Sequence, residues 1–212
     1  MNPFVPEVVD AGEPESWDAA RRVLAAGQCV VVPTDTVYGI AADARNQAAV
    51  ELLQTIKGRG DAFPPPLLVA DVSEIWDLTD SAPDYAKRLA ETWFPGPLTL
   101  ILATSRTDLS LAGVTGKLGV RVPDNVWLRD LMRSTGPLAV SSANRHDEPP
   151  ATSVEAAVAQ LGAQVALYVD GGTTPGPTPS TVVDCTGPEP VVRREGLISG
   201  ADVRSAAGAA DA

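Results

Sequence analysis

Basic side chains at the end of one predicted helix suit the binding of an anionic ligand. Lys57 and Arg59 flank a glycine in the segment KGR. Lysine supplies a compact positive charge, arginine supplies a fork of donors, and the glycine lets the backbone turn, so this segment has the groups of a phosphate clamp. The same two cations would also complement the dipole of a helix C-terminus without any ligand. The segment alone leaves both interpretations open.

Hydroxyl and amide side chains follow two predicted strands. Thr34 and Thr36 lie in PTDTVYG (residues 33–39), where an apolar strand enters a loop, and Ser142 and Asn144 lie in SSAN (residues 141–144). Polar groups at the carboxyl ends of strands contact ligands in open α/β sheets, although a polar turn has the same composition. Arg121 stands inside the otherwise apolar segment GVRVP, so its side chain needs an anionic partner or a cleft.

The sequence lacks the residues that several common enzyme reactions require. No GxGxxG or GxSxG segment is present, and GVTGKL (residues 113–118) has the wrong spacing for a phosphate-binding P-loop. His146, the single histidine, lies in the polar segment NRHDEPP, which favours an exposed loop position. Cys29 and Cys185 lie far apart in apolar runs, which favours two buried thiols over a disulfide. Ser-His-Asp hydrolysis and a metal site of histidines or thiolates are therefore disfavoured.

The apolar patterning alternates between helical and strand periods. It predicts strands over residues 28–32, 67–70, 98–103, 118–122, 138–141, 165–169, 181–184 and 191–193. It predicts helices over residues 15–26, 46–56, 81–93, 126–133 and 153–161, with Asn46 as a cap and with capping boxes at Ser81 and Thr152. This alternation predicts one α/β domain, residues 1–200, with a twisted mixed β-sheet flanked by helices. Residues 201–212 are expected to form a short flexible tail.

Charge and hydropathy restrict the class of protein. The 212 residues carry a formal net charge of −11, which should repel long nucleic acids and makes stable nucleic-acid binding unexpected. A local basic pocket for one nucleotide is compatible with that charge. The N-terminal residues show no signal-peptide pattern, and no apolar run is long enough to cross a bilayer, so we expect a cytoplasmic protein.

Taken in order, seven segments resemble the YrdC-like family, the threonylcarbamoyl-AMP synthases. They are PTDTVYGIAADA, KGR, WFPGPLTLIL, GVRVP, SSAN with a following threonine, STVVD and VRREG, and they run from about residue 27 to residue 198. The resemblance implies an α/β domain built around a basic cavity. It also implies a nucleotidyltransferase that makes threonylcarbamoyl-adenylate and pyrophosphate from ATP, L-threonine and bicarbonate. That product would serve the modification of adenosine 37 in tRNAs that read ANN codons, through a downstream tRNA threonylcarbamoyl transferase machinery.

The resemblance also assigns the site residues. Lys57 and Arg59 would meet the ATP phosphates and act in catalysis. The rest of the ATP site would be Ser142, Asn144, Thr152 and Arg194, where Arg194 is preferred to Arg193 because it fits an Arg-x-Gly spacing. The threonine site would be Thr34, Thr36, Arg121 and Ser180. ATP would be a substrate accompanied by Mg²⁺, and no metal site formed by the protein is expected.

Three alternatives remain open at this point. An RNA-binding module with a concave basic face would share the fold, although the acidity and the few aromatic residues argue against it. A paralogue with a different carboxylate substrate is the second, because Ala70 stands where the family commonly has a histidine that helps hold threonine. An adenylating carbamoyl transferase of hydrogenase maturation is the third, and the two cysteines are too few for its zinc-finger modules.

Overall fold

The computed structural model describes residues 6–58, 64–106 and 116–208. Within them the chain forms a single α/β domain with a ten-stranded mixed sheet and seven α-helices, which confirms the predicted fold class. The strands are β1 (Glu7–Asp10), β2 (Val30–Val32), β3 (Gly39–Asp43), β4 (Leu67–Leu68), β5 (Leu98–Ala103), β6 (Lys117–Arg121), β7 (Leu138–Ser142), β8 (Leu167–Asp170), β9 (Thr181–Asp184) and β10 (Val191–Arg194). The helices are α1 (Glu15–Ala25), α2 (Gln47–Lys57), α3 (Val72–Leu78), α4 (Asp84–Trp93), α5 (Val126–Thr135), α6 (Val154–Leu161) and α7 (Gly200–Ala207).

The strand order brings sequence-distant segments together at the middle of the sheet. The order is β1-β8-β2-β3-β7-β4-β6-β5-β9-β10. In the antiparallel pair of β3 and β7, Gly39 lies opposite Ser142, so PTDTVYG ends beside SSAN. In the parallel pair of β4 and β6, Leu68 lies opposite Arg121. PTDTVYG, SSAN and GVRVP, which are far apart in the chain, are therefore brought close together by β3, β7, β4 and β6.

Apolar strands and helix faces explain why these elements form. The three valines of β2 are fully buried, as expected for a central strand covered on both faces. Helix α2 begins after Asn46, whose Oδ1 accepts a hydrogen bond from the Ala49 N–H at 3.2 Å, so the predicted cap is confirmed. Leu53 packs inward from the same helix. No helix in the described part of the chain is long and apolar enough to span a membrane.

Both predicted capping boxes are wrong. Helix α4 begins at Asp84 after Pro83, and Ser81 instead forms an isolated β-bridge with Ala103. Helix α6 begins at Val154, and the hydroxyl of Ser153, not that of Thr152, accepts from the Ala156 N–H at 3.3 Å. In each case the residue just before the helix, Pro83 or Ser153, has extended backbone angles, so the helix begins after the position that the predicted box requires.

The C-terminal segment is more ordered than the expected tail. Residues Gly200–Ala207 form α7, which begins at the capping residue Ser199 and buries Val203 and Ala207. Arg88 of α4 donates a hydrogen bond to the Ala207 carbonyl at 2.5 Å. Apolar contact with α4 therefore stabilises a segment whose small, polar composition predicted fraying.

Candidate active site

One cavity collects polar side chains from the central strands and from the β9 and β10 end of the sheet. It has a volume of about 120 Å³ and opens to solvent. Six of the ten predicted site residues line it: Thr34, Thr36, Arg121, Ser142, Ser180 and Arg194. The remaining lining residues are Val37, Tyr38, Gly39, Pro66, Leu68, Thr99, Val140, Ser141 and Pro179. The structure thus brings together hydroxyls and two arginines from positions up to 160 residues apart (Thr34 to Arg194, 194 − 34).

The turn after β2 fixes the two threonines of PTDTVYG. The Thr34 hydroxyl donates to the Val37 carbonyl at 2.6 Å and accepts from the Thr36 N–H at 3.1 Å. The two hydroxyl oxygens are 3.1 Å apart. The hydroxyls therefore stabilise their own turn, as the sequence alternative allowed, and they also face the cavity.

Arg121 has its anionic partner inside the protein. Its Nη2 donates to Asp35 Oδ1 at 2.6 Å, its Nη1 to Thr36 Oγ1 at 3.2 Å, and its Nε to the Gly96 carbonyl at 3.0 Å. Burial lowers the pKa of Arg121 from its ordinary value, while the charge and hydrogen bond of Asp35 act in the opposite direction. An arginine stays protonated in proteins, so the cavity floor carries a buried guanidinium.

A second cluster joins β5, β9 and β10. The hydroxyl oxygens of Thr99 and Ser180 are 2.9 Å apart. Arg194 Nη2 donates to the Ser180 hydroxyl at 3.2 Å and to the Ser180 carbonyl at 2.9 Å. Arg193 instead points to Asp184, with Nη2 2.7 Å from Oδ2, so only Arg194 of the two reaches the cavity. Thr99 was not among the predicted site residues, because its only signal in the sequence is one hydroxyl in the apolar segment LTLILA.

Lys57 and the Asn144 side chain do not line the cavity and lie on the inner side of the SSAN loop. Lys57 is 1% exposed, and its ammonium donates to the Ser142 carbonyl at 2.6 Å, to Asn144 Oδ1 at 3.1 Å and to the Asn144 carbonyl. Asn144 Nδ2 donates to the carbonyls of Arg145 at 2.8 Å and Glu148 at 2.7 Å. Both side chains therefore support the loop that presents Ser142.

Of the two remaining predicted residues, Thr152 does not line the cavity. Thr152 accepts from the Thr174 N–H at 2.9 Å through its carbonyl, which ties α6 to the loop before β9. Arg59 lies outside the described residues.

The cavity has the chemistry of an anion site and lacks that of a metal site. Its lining provides two guanidiniums and several hydroxyls. Within residues 6–58, 64–106 and 116–208, no cluster of three or more histidine, cysteine, aspartate or glutamate residues could hold a metal ion. A larger cleft of about 680 Å³ lies between α1 and α5. Arginines that line it form ion pairs with neighbouring carboxylates, Arg21 with Asp18 and Arg45 with Asp43, so this cleft suits a triphosphate less well.

The single histidine and the two cysteines lie away from this chemistry. His146 is half exposed beside Asp147, with Nδ1 2.9 Å from Oδ2, which confirms the expected surface position. Cys29 and Cys185 are free and buried, and burial raises the pKa of each thiol to about 12. The expectation of two buried thiols is confirmed, and thiols buried in apolar surroundings are unreactive.

The sequence of this chain matches a known protein family. The Sua5/YciO/YrdC family model, whose description reads "Telomere recombination", matches residues 22–196. A putative threonylcarbamoyl-AMP synthase of Mycobacterium tuberculosis is 40% identical over 198 residues, covering 91% of each chain. The threonylcarbamoyl-AMP synthase of Bacillus subtilis is 35% identical over 207 residues, covering 96% of this chain and 60% of that one.

A solved structure has the same fold. Sua5 of Pyrococcus abyssi in complex with L-threonine superposes with a TM-score of 0.88 at 28% identity, over 96% of this chain and 61% of that one. The family model spans most of the chain. The Mycobacterium tuberculosis relative matches 91% of this chain at 40% identity. The chain therefore belongs to the Sua5/YciO/YrdC family.

Proposed function

We propose that this chain is a threonylcarbamoyl-AMP synthase. It forms threonylcarbamoyl-adenylate and pyrophosphate from ATP, L-threonine and bicarbonate, and it acts in the cytoplasm. The product supplies a downstream transferase that modifies adenosine 37 of ANN-decoding tRNAs. The observation that carries the proposal is the single cavity where Arg121, Arg194 and the hydroxyls meet, in a chain 40% identical to a relative named for this activity.

The inner part of the cavity suits the amino acid. Its volume of about 120 Å³ is below the roughly 300–1,000 Å³ of pockets that enclose drug-sized ligands, so it can hold an amino acid but not a whole nucleotide. Arg121 binds the threonine carboxylate, and Thr34, Thr36 and Ser180 offer hydroxyls to its polar groups. The Pyrococcus abyssi relative was solved with L-threonine, which agrees with an amino-acid pocket in this fold.

The nucleotide then lies at the cavity mouth. Ser142 and Arg194 face it from opposite sides of the sheet centre, and Arg59, which the sequence analysis assigned to the phosphates, follows α2. Lys57 adds a positive charge directly behind Ser142 and holds the loop in place. Thr152 and Asn144 contribute to the nucleotide site through this same loop and the segment that follows it.

The reaction proceeds by two balanced steps. The threonine amine and bicarbonate combine to a carbamate with loss of water. A carbamate oxygen then attacks the α-phosphorus of ATP, and the bond from that phosphorus to the bridging oxygen of pyrophosphate breaks. Phosphoryl transfer of this kind depends on in-line placement and on neutralised charge more than on a strong base. The arginines supply that charge, so no histidine is required.

Magnesium fits this site only as part of the substrate. The cavity lining contains hydroxyls and arginines, and the carboxylate of Asp35, which lies between Thr34 and Thr36 in the chain, is engaged by Arg121. Mg²⁺ prefers carboxylates, phosphates and water as ligands. We therefore expect it to enter on the triphosphate of ATP, held by the phosphates and not by a protein cage.

Pyrophosphate release tests the function. The purified chain is incubated with ATP, L-threonine, bicarbonate and Mg²⁺, and each component is omitted in turn. The expected result is release that requires both threonine and bicarbonate, with threonylcarbamoyl-adenylate identified by mass spectrometry. Release that continues without threonine would overturn the proposal.

Ala70 gives one specific reason to test other substrates. It is fully buried and lies on the same face of the extended segment as Leu68, which lines the cavity. The usual family histidine is therefore replaced by a methyl group near the pocket wall. Serine, alanine and lactate should be compared with threonine in the same assay, and a higher kcat/KM for one of them would identify a paralogue.

A further inference from the structure

We propose that Asp35 is a positioning residue for the amino-acid carboxylate. It holds the guanidinium of Arg121 so that the remaining donors of Arg121 face the cavity. This inference rests on the proposed function, because the carboxylate is that of the amino-acid substrate. Asp35 stands between Thr34 and Thr36 in PTDTVYG and was not among the predicted site residues.

Three contacts fix the orientation of Arg121. Asp35 Oδ1, the Thr36 hydroxyl and the Gly96 carbonyl each accept one N–H, at 2.6, 3.2 and 3.0 Å. A guanidinium has five N–H donors, so two remain (5 − 3). Arg121 lines the cavity, and these two donors are the ones available to a ligand. Two donors on one planar group match the two oxygens of a carboxylate.

The Asp35 carboxylate is poorly suited to a purely stabilising role. The side chains of Arg121 and Asp35 are 7% and 11% exposed, so both charges have lost their hydration. Asp35 Oδ2 is buried and has no hydrogen-bond partner. A buried ion pair with an unsatisfied oxygen adds little to folding stability, because the cost of desolvation offsets the attraction. What the pair does provide is a fixed direction for the guanidinium.

That direction governs substrate binding more than the chemical step. Without the charge of Asp35, the guanidinium is held only by neutral acceptors and can turn about its long side chain. A misaligned guanidinium makes one hydrogen bond to the substrate carboxylate, whereas an aligned guanidinium makes two. The reacting carbamate is formed at the amine, so the loss should fall on the KM for threonine.

Asp35→Asn is the main test, because it keeps the side-chain shape and removes the charge. We expect the KM for threonine to rise by about tenfold to a hundredfold, the range for losing a hydrogen bond between charged groups. The KM for ATP should stay within about twofold, because the effect is local. Asp35→Glu restores the charge and should recover part of the loss. Asp18→Asn, which removes the partner of Arg21 on the exposed face of α1, is the matched control and should change neither KM.

A double-mutant cycle with Arg121→Lys shows whether Asp35 acts through Arg121. Lysine keeps the charge but lacks the fork, so adding Asp35→Asn to it should raise the threonine KM by no more than about twofold. Additive losses, or an Asp35→Asn variant that lowers kcat with an unchanged threonine KM, would overturn the proposal. Thermal unfolding of each variant identifies any that has failed to fold.

A readout without substrate separates this proposal from the proposed function. The Nε–H of Arg121 is buried and bonded to the Gly96 carbonyl, so its NMR signal should exchange slowly with water in the native protein. Asp35→Asn should accelerate that exchange, whereas Asp18→Asn should not. If the native chain releases no pyrophosphate, the proposed function fails while this signal still tests the positioning. Unchanged exchange in Asp35→Asn would refute the positioning itself.

Discussion

Replacing Lys57 by methionine tests whether its ammonium supports the SSAN loop. Methionine keeps most of the aliphatic stem but removes the donors to the Ser142 carbonyl and to both oxygens of Asn144. An acceptor left unsatisfied in the interior costs about 1–3 kcal/mol. These oxygens can recover part of that cost by local movement, so we expect a loss of about 2–4 kcal/mol in the free energy of unfolding, at the upper end for a single substitution.

Urea unfolding measures this loss directly. The midpoint should fall while the slope with denaturant stays the same, which separates a change in stability from a change in the unfolded state. In a chain of this size, the same loss lowers Tm by about 5–15 °C. Lys87→Met is the control, because Lys87 is half exposed and pairs only with the exposed Asp84, and it should shift the stability by less than about 1 kcal/mol.

Ligand binding distinguishes support of the loop from direct contact with phosphates. A displaced loop moves Ser142, so affinities for adenosine and for ATP should both fall in Lys57→Met. Loss of a direct phosphate contact would weaken ATP and leave adenosine unchanged. If the free energy of unfolding is unaltered and only ATP binding suffers, the reasoning from the loop contacts is wrong.

Two further changes test other contacts. Burial would raise the pKa of Asp184, but hydrogen bonds from Thr186 and Arg193 outweigh it and hold that pKa well below its usual range. These contacts therefore stabilise the fold above about pH 4, and their contribution is lost as the pH falls. Asp184→Asn should flatten the acid side of the pH profile of the free energy of unfolding, measured with urea. Parallel profiles for the variant and the native protein would contradict this. In Gly196→Ala, the new Cβ would lie 2.6 Å from the Ser180 carbonyl carbon and would clash with the Pro179 carbonyl oxygen. Tm and pyrophosphate release should therefore both fall. Gly176→Ala is the control, because there is open space around Gly176, and it should change neither quantity.

The sequence was most informative where apolar runs are bounded by polar residues. The bounds of β5 and β9 were predicted as the structure has them, because LTLILA and TVVD are buried strands with clear ends. Strand β3 was missed because GIAAD is rich in glycine and alanine, which have little intrinsic preference for strands. It forms because β2 and β7 pair with it on both sides. Helix α3 was missed because seven residues carry too little periodicity.

The residue types of the site were predictable, but their partners were not. Arg121 in an apolar strand predicted an anionic partner, yet Asp35 lies 86 residues away, and only the sheet order brings the two together. The same holds for Lys57, whose acceptors are 85 and 87 residues further along the chain. Local sequence determines which groups are available, while strand pairing determines what each one contacts.

The position of β9 has a consequence for the order of synthesis. This strand lies parallel to β5 although it is made about 80 residues later, with Leu98 opposite Thr181. Ser180 and Arg194 reach the cavity only with that pairing. A nascent chain on the ribosome can therefore complete the turn with Thr34 and Thr36 early, but its pocket lacks one wall until the last strands have left the exit tunnel. Competence for substrate therefore arises only after β9 and β10 have been synthesised and have paired with the rest of the sheet.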